Sequence, residues 1–183
     1  MLSRETALAK LHEWIENPAL VHHCLCVETV MRKAHGVYGS ADDDVEQWAL
    51  AGLLHDADWD KFPDDHPNVT VKWLREIGED DLAHAVSAHF TEWGVPYNSQ
   101  MDRALVACDE LTGFVVACAR VRPDGIATLE PRSVIKKLKQ PKFAAGVSRT
   151  EVAAGIDLLG TELETHIDLI INALRERSQE LAL

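Results

Sequence analysis

The stretch LLHDADWDKFPDDH, residues 53–66, sets His55 beside Asp56 at the end of an apolar run and follows the pair with a crowd of acids. An imidazole and a carboxylate in adjacent positions can cap a helix, exchange a proton or hold a cation. Two more polar residues join them once the chain is read in helical phase, each residue turning by about 100° from the last. In LVHHCLCVETVM, Leu20, Cys24, Val27 and Met31 form one apolar stripe; His23 falls within it and His22 nearly opposite. Trp48, Gly52, His55 and Asp56 share a broad face, and Asp109 lies in the middle of the stripe Leu105, Cys108, Thr112, Val116.

A carboxylate in an apolar stripe must be neutralised, paired or bound to metal, because an isolated buried charge costs several kcal/mol even after relaxation. Taken singly, each of the four residues also fits a hydrogen-bonded core position: Asp56 could cap a neighbouring helix, and Asp109 could pair with Arg103. Together, two imidazoles and two carboxylates make a mixed nitrogen and oxygen set suited to one divalent ion, Mn²⁺, Fe²⁺, Co²⁺, Ni²⁺ or Zn²⁺, with Mg²⁺ less at ease beside two histidines. Four protein ligands on a six-coordinate ion leave two positions for water and substrate. Such an ion lowers the pKa of a water and polarises a phosphoryl oxygen, which suits phosphate ester hydrolysis.

Other side chains are candidates around that centre. His89 shares a face with Leu82, Ala85, Val86 and Phe90, so it is expected to approach the pocket and contact a phosphate or hold a water, unless it is a core histidine bonded to backbone; His84 points away and should be solvated. Asp56 is a ligand that could also accept a proton, and Asp58 or Asp60 could serve as an outer base. The remaining acids of DADWDKFPDD read as a solvated loop. Lys61 is a candidate contact for an anionic substrate, or else a surface lysine paired with Asp64 or Asp65. Between Arg120 and Arg149 basic residues gather, and helical spacing aligns Arg132, Lys136 and Lys139; a basic side bordering the pocket would draw in phosphate.

The elements that must position these groups are helices, since no strictly alternating run bounded by turn signals occurs and the apolar periodicity is helical. The expected class is all-α. Ser3 caps a first helix; Asn17-Pro18 stops it and starts a second, expected to run to His35 and end at Gly36. Asp42 to Asp44 start a third helix, which delivers His55 and Asp56. Asp65 or His66-Pro67 opens a fourth and Asp80-Asp81 a fifth, and Ser99 with Asp102 caps a long sixth that stops before Pro123. Residues 123–147 should be loops with short helical pieces. Ser148 and Glu151 form a capping box before Val152, Ile156, Leu159, Leu163, Ile167, Ile170 and Leu174, a stripe that predicts one long terminal helix.

Length and composition bound the rest. The 183 residues fit a single domain over 1–183, with no internal repeat or composition break. A net charge of −12 opposes a broad footprint for duplex nucleic acid. Neither a secretory segment nor a bilayer-spanning apolar stretch is visible, and Cys24, Cys26, Cys108 and Cys118 form no C-x-x-C pair, so a cytoplasmic protein with core cysteines and no membrane partner is expected. The long terminal helix could bury a face in a homo-oligomer.

The ordered set His23, His55-Asp56, Asp109 resembles the H…HD…D signature of the HD superfamily of metal-dependent phosphohydrolases. WALAGLLHDADWDKFPDDH, ACDELTGFVVACARVRP and VIKKLKQPKFAAGVSR are similar to a subgroup of small stand-alone HD hydrolases, a resemblance covering most of residues 17–150. It implies an HD-type helical bundle with its core over about 17–122 and a C-terminal basic segment and helix over 123–183. It also implies His23, His55, Asp56 and Asp109 as metal ligands and a small phosphorylated substrate, possibly a nucleotide. Two departures matter. HD deoxynucleotidases often read H-D-A-x-E, whereas Trp59 stands here in place of the glutamate, and the H-D-I-G-K and Gly-Tyr-Pro elements of cyclic-dinucleotide phosphodiesterases do not occur. A non-catalytic nucleotide- or metal-binding regulatory module is the main alternative, and a helical interaction protein whose polar residues only fix core packing is a third.

Overall fold

A computed structural model describes residues 1–183 as helices joined by short connections, with no strand. In chain order these are α1 (Arg4–Trp14), α2 (Pro18–Tyr38), α3 (Val45–Leu54), α4 (Asn68–Glu76), α5 (Asp80–His89), α6 (Gln100–Arg120), α7 (Pro131–Leu138), α8 (Arg149–Leu159), α9 (Leu163–Glu176) and a last turn, α10 (Ser178–Leu181). Single 3₁₀ turns occupy Pro63–Asp65 and Thr91–Trp93. The class is all-α, as the periodicity requires.

The helix starts follow side-chain chemistry. Ser3, Asn17, Asp44, Ser99 and Ser148 each accept a hydrogen bond from a first-turn backbone N–H, satisfying a donor that would otherwise have no intrahelical partner. At α6 the bond is reciprocal, Asp102 reaching back to the Ser99 N–H. Two ends differ from expectation. α2 continues through Gly36 and ends at Gly39, because nothing crowds the helix at Gly36 and the next stop signal lies three residues on. The predicted terminal helix is two helices: Gly160 takes φ +70° and ends α8, its N–H returning to the Ile156 and Asp157 carbonyls.

α2 and α6, each of 21 residues, form the centre, and α3, α5, α8 and α9 pack around them. One hydrophobic cluster runs from Ala7 to Leu181 and includes all four cysteines, which are free thiols. Two glycines set the closest approaches. A Cβ on Gly52 would lie 2.7 Å from the Val27 carbonyl oxygen, so α3 rests directly on the α2 backbone. A Cβ on Gly155 would lie 2.8 Å from Ala107 Cα, so α8 rests as closely on α6. These contacts bring the His23, His55 and Asp109 regions together. No helix is long and apolar enough to cross a membrane.

Candidate metal centre

His55 follows the last residue of α3, with its ring fully buried. Its Nδ1 donates to the Gly52 carbonyl at 2.8 Å, which leaves Nε2 as the free nitrogen. That nitrogen lies 3.2 Å from His23 Nε2, 3.4 Å from Asp56 Oδ2 and 3.3 Å from Asp109 Oδ1. His23 Nε2 in turn lies 2.9 Å from Asp109 Oδ1 and 3.9 Å from Asp56 Oδ2. The structure therefore brings His23, His55, Asp56 and Asp109 to one point, from α2, the end of α3, the turn after it and α6. Arg103 is elsewhere, donating to the carbonyls of Ser99 and Tyr97, so Asp109 has no guanidinium partner there.

Asp56 faces a second group with its other oxygen. His66 Nε2 lies 3.6 Å and His89 Nε2 3.7 Å from Asp56 Oδ1. Each of these rings is held from behind: His66 Nδ1 lies 2.7 Å from Asp58 Oδ1, and His89 Nδ1 donates to the Val86 carbonyl. His55, His66 and His89 thus share one arrangement, an outer acceptor on Nδ1 and Nε2 aimed at Asp56. This is how metal-ligating imidazoles are commonly oriented. His23–His55–Asp56 and Asp56–His66–His89 are both groups able to hold a metal ion.

The donor chemistry fits a cation. Ligands about 2.0–2.2 Å from a divalent ion stand roughly 3 Å apart around it, close to the spacings in the first group. Burial alone would pull the His55 pKa down, yet the carboxylates of Asp56 and Asp109 overcome it and hold the imidazole well above its ordinary value. Burial pushes Asp56 up, but His55 and then His89 hold it well below the carboxylate range. Asp109 is likewise drawn down by His55 and His23 against the effect of burial. In the protein alone the proton held on His55 helps to balance the carboxylates; a divalent ion would do so with that nitrogen neutral.

Several expected roles change. Asp58 is fully buried, with one oxygen on His66 and the other accepting from the Thr70 N–H at 2.8 Å; both being engaged and sealed from solvent, it is placed to orient His66 and lies away from the cavity wall where an outer base would stand. Asp60 accepts from the Glu16 and Asn17 N–H groups and ties the acidic loop to the α1–α2 turn. Lys61 is exposed, with Nζ 5.6 Å from the Phe62 ring, and is absent from the pocket wall. Phe62 is anchored by Trp14 at 6.0 Å between ring centroids, which turns the adjacent lysine outward. The basic segment also lies elsewhere: Lys136 and Lys139 line separate surface grooves and Arg132 is almost fully exposed. His84 is not simply solvated; its Nε2 lies 3.0 Å from the Pro96 carbonyl and 3.4 Å from Asp102.

His66 is the site residue that sequence reading missed. It sits between a 3₁₀ turn and α4, where helical phase assigns no direction, and its neighbour Pro67 reads as a helix start. The spacing of Asp58 and His66 carried no signal of its own.

The profile of the HD domain family matches residues 20–113, just over half of the chain, and spans His23, His55, Asp56, His66, His89 and Asp109. The chain belongs to the HD domain family. No curated protein and no solved structure matches it. HD domains are in general metal-dependent phosphohydrolases, and the His and Asp groups here are able to hold metal.

Around the HD centre lies a cavity of about 390 Å³. Trp59 and Phe90 flank it, both edge-on to His66 with ring centroids at 4.7 and 5.4 Å. α6 and α8 supply the far wall through Glu110 and Glu151. Glu110 is half-buried and accepts from the Ser148 N–H at 2.9 Å, which fastens the start of α8 to the HD core. Burial and the neighbouring Asp109 push its carboxyl up to about 7.

Proposed function

We propose that this HD domain is a divalent-metal-dependent phosphohydrolase acting on a small phosphate ester, of nucleotide size or smaller. The observation that supports the reading best is the convergence of His55, His66 and His89 on Asp56 by their Nε2 atoms, every Nδ1 being held from behind. His23, His55, Asp56 and Asp109 would hold one ion, and Asp56, His66 and His89 a second, Asp56 being common to both groups. When bound, such ions supply a water of lowered pKa and charge neutralisation of the phosphoryl oxygens.

The chain's own residues do the positioning. The Gly52 and Val86 carbonyls and Asp58 fix the planes of the three rings, so little reorganisation is needed when ligands are engaged. Asp56 and Asp109, at 18 % and 23 % exposure, are reachable from the cavity, whereas His55 is sealed beneath them. A substrate phosphate therefore approaches through the cavity. Hydrolysis forms a bond from water oxygen to phosphorus and breaks the bond from phosphorus to the ester oxygen, the alcohol leaving with one of the water's protons. With four buried thiols the protein suits a reducing compartment such as the cytoplasm.

The deciding experiment combines metal analysis of protein prepared without chelator or His-tag with a screen of phosphate mono- and diesters under Mn²⁺, Fe²⁺, Co²⁺, Ni²⁺, Zn²⁺ and Mg²⁺. Stoichiometric metal and metal-dependent release of phosphate are expected. Protein that neither retains metal nor is activated or stabilised by any of these ions would overturn the reading. Metal retained with a ligand bound and returned unchanged would instead mark a sensor.

A further inference from the structure

The charges around the cavity narrow the substrate. Beyond the metal-binding side chains its wall carries Glu92, Glu110 and Glu151, and no lysine or arginine. Some acids elsewhere on the surface have a basic partner: Glu46 pairs with Arg32, Glu176 with Lys33 and Glu180 with Arg177. The cavity glutamates have no such partner, and the one polar bond to any of their carboxylates is that from the Ser148 N–H to Glu110. Close packing through Gly155 keeps α8, and with it Glu151, against α6 and Glu110. Phe90 and Trp59 line the same cavity, the latter 47 % exposed although it is a large apolar side chain. An exposed aromatic together with carboxylates that have no basic partner, lining one concave site, is the chemistry that receives an organic cation.

The same charges exclude other substrates. Divalent ions held by two carboxylates leave a positive surplus sufficient for one phosphate dianion. A second or third phosphate would meet the three glutamates with no cationic side chain to offset it.

Resting on the phosphohydrolase reading, we propose that the cavity takes a phosphate monoester whose alcohol carries an amine or quaternary ammonium. The phosphate would lie at the His–Asp centre and the cation between Glu110 and Glu151 and beside Trp59 and Phe90. The reaction is the hydrolysis already described, releasing inorganic phosphate and the amino alcohol.

The test has a binding arm and a turnover arm, both at pH 8 on the full chain loaded with Mn²⁺. In the first, calorimetry compares 3-aminopropylphosphonate with propylphosphonate, neither of which can be hydrolysed at the carbon–phosphorus bond. In the second, kcat/KM is compared for phosphoethanolamine, phosphocholine, glycerol 3-phosphate, AMP and ATP. The amine-bearing compounds should be preferred on the order of tenfold in both arms, and ATP should be the poorest substrate. Glu110→Gln with Glu151→Gln should bring the preference close to unity; glutamine keeps the acceptor for Ser148. Equal or weaker binding of the amine overturns the proposal, as does a double variant that keeps the preference or a preference for AMP. Hydrolysis of neutral esters without discrimination defeats this inference alone. Selective binding with no turnover of any ester defeats the hydrolase reading and leaves the charge selection standing.

Discussion

Asp58 Oδ1 lies 2.7 Å from His66 Nδ1, with the two side chains 0 % and 2 % exposed, and this bond fixes which His66 nitrogen faces Asp56. Asp58 is therefore a positioning residue for the second metal group. In Asp58→Asn the amide can still accept from Thr70, but it presents N–H to a ring nitrogen that needs an acceptor. A fall of about 10–100-fold in affinity at that group is expected, read by competition with a chromophoric chelator. Unchanged affinity would show that His66 is not a ligand or does not need this support.

The shared carboxylate predicts unequal consequences among the ligands. His66→Ala or His89→Ala should leave one ion per chain, held by His23, His55, Asp56 and Asp109. Asp56→Ala should release both. His55→Ala or Asp109→Ala should abolish activity by removing a side chain of the first group. Elemental analysis of the folded variants, with circular dichroism as the folding check, decides between this pattern and two independent sites.

Gly52 allows α3 to rest on α2, and a Cβ there would lie 2.7 Å from the Val27 carbonyl oxygen. The neighbour is backbone, so the helices must separate. Gly52→Ala should cost about 1–3 kcal/mol in urea unfolding. It should also weaken metal binding, because His23 and His55 ride on the two helices being parted.

His166, on α9, is buried against α6, with Nε2 3.2 Å from the Ala107 carbonyl and Nδ1 3.0 Å from the Tyr38 hydroxyl. Burial lowers its pKa from 6.5 to about 4, against the weaker opposing effect of the Ala107 carbonyl. Between those values the unfolded chain binds the proton and the folded chain does not. Stability from this group is complete above about pH 6.5 and is lost as pH falls towards 4, by a few kcal/mol. The thermal midpoint of His166→Gln, lower at neutral pH, should fall less steeply over this interval than that of the parent.

Gly160 holds φ +70° where α8 ends. Gly160→Ala should cost about 1 kcal/mol, as for any L-residue held in the left-handed region. A stabilising effect would mean that α8 and α9 join into one helix in solution.

Helical phase alone identified His23, His55, Asp56 and Asp109, and the structure brings them together. Three of the four stand on or directly beside regular helix, where direction follows from sequence position, and the starts at Ser3, Asn17, Asp44, Ser99 and Ser148 were legible because capping is a local event. His66 and Asp58 were not legible, since turn residues have no fixed phase and their partnership depends on how the acidic loop folds back over α3. The break at Gly160 was hidden for a related reason: the apolar stripe keeps its spacing from Val152 to Leu174 while the backbone turns within it. Sequence by itself thus determined the all-α class, the helix starts that side chains cap and the candidate first metal group, all consequences of local geometry. Tertiary structure alone decided the second candidate metal group, the absence of Lys61 and of the basic side chains of residues 120–149 from the cavity wall, and the glutamates and aromatics that line it. Those features depend on the distance between residues far apart in the chain, which close packing of helices sets and periodicity does not encode.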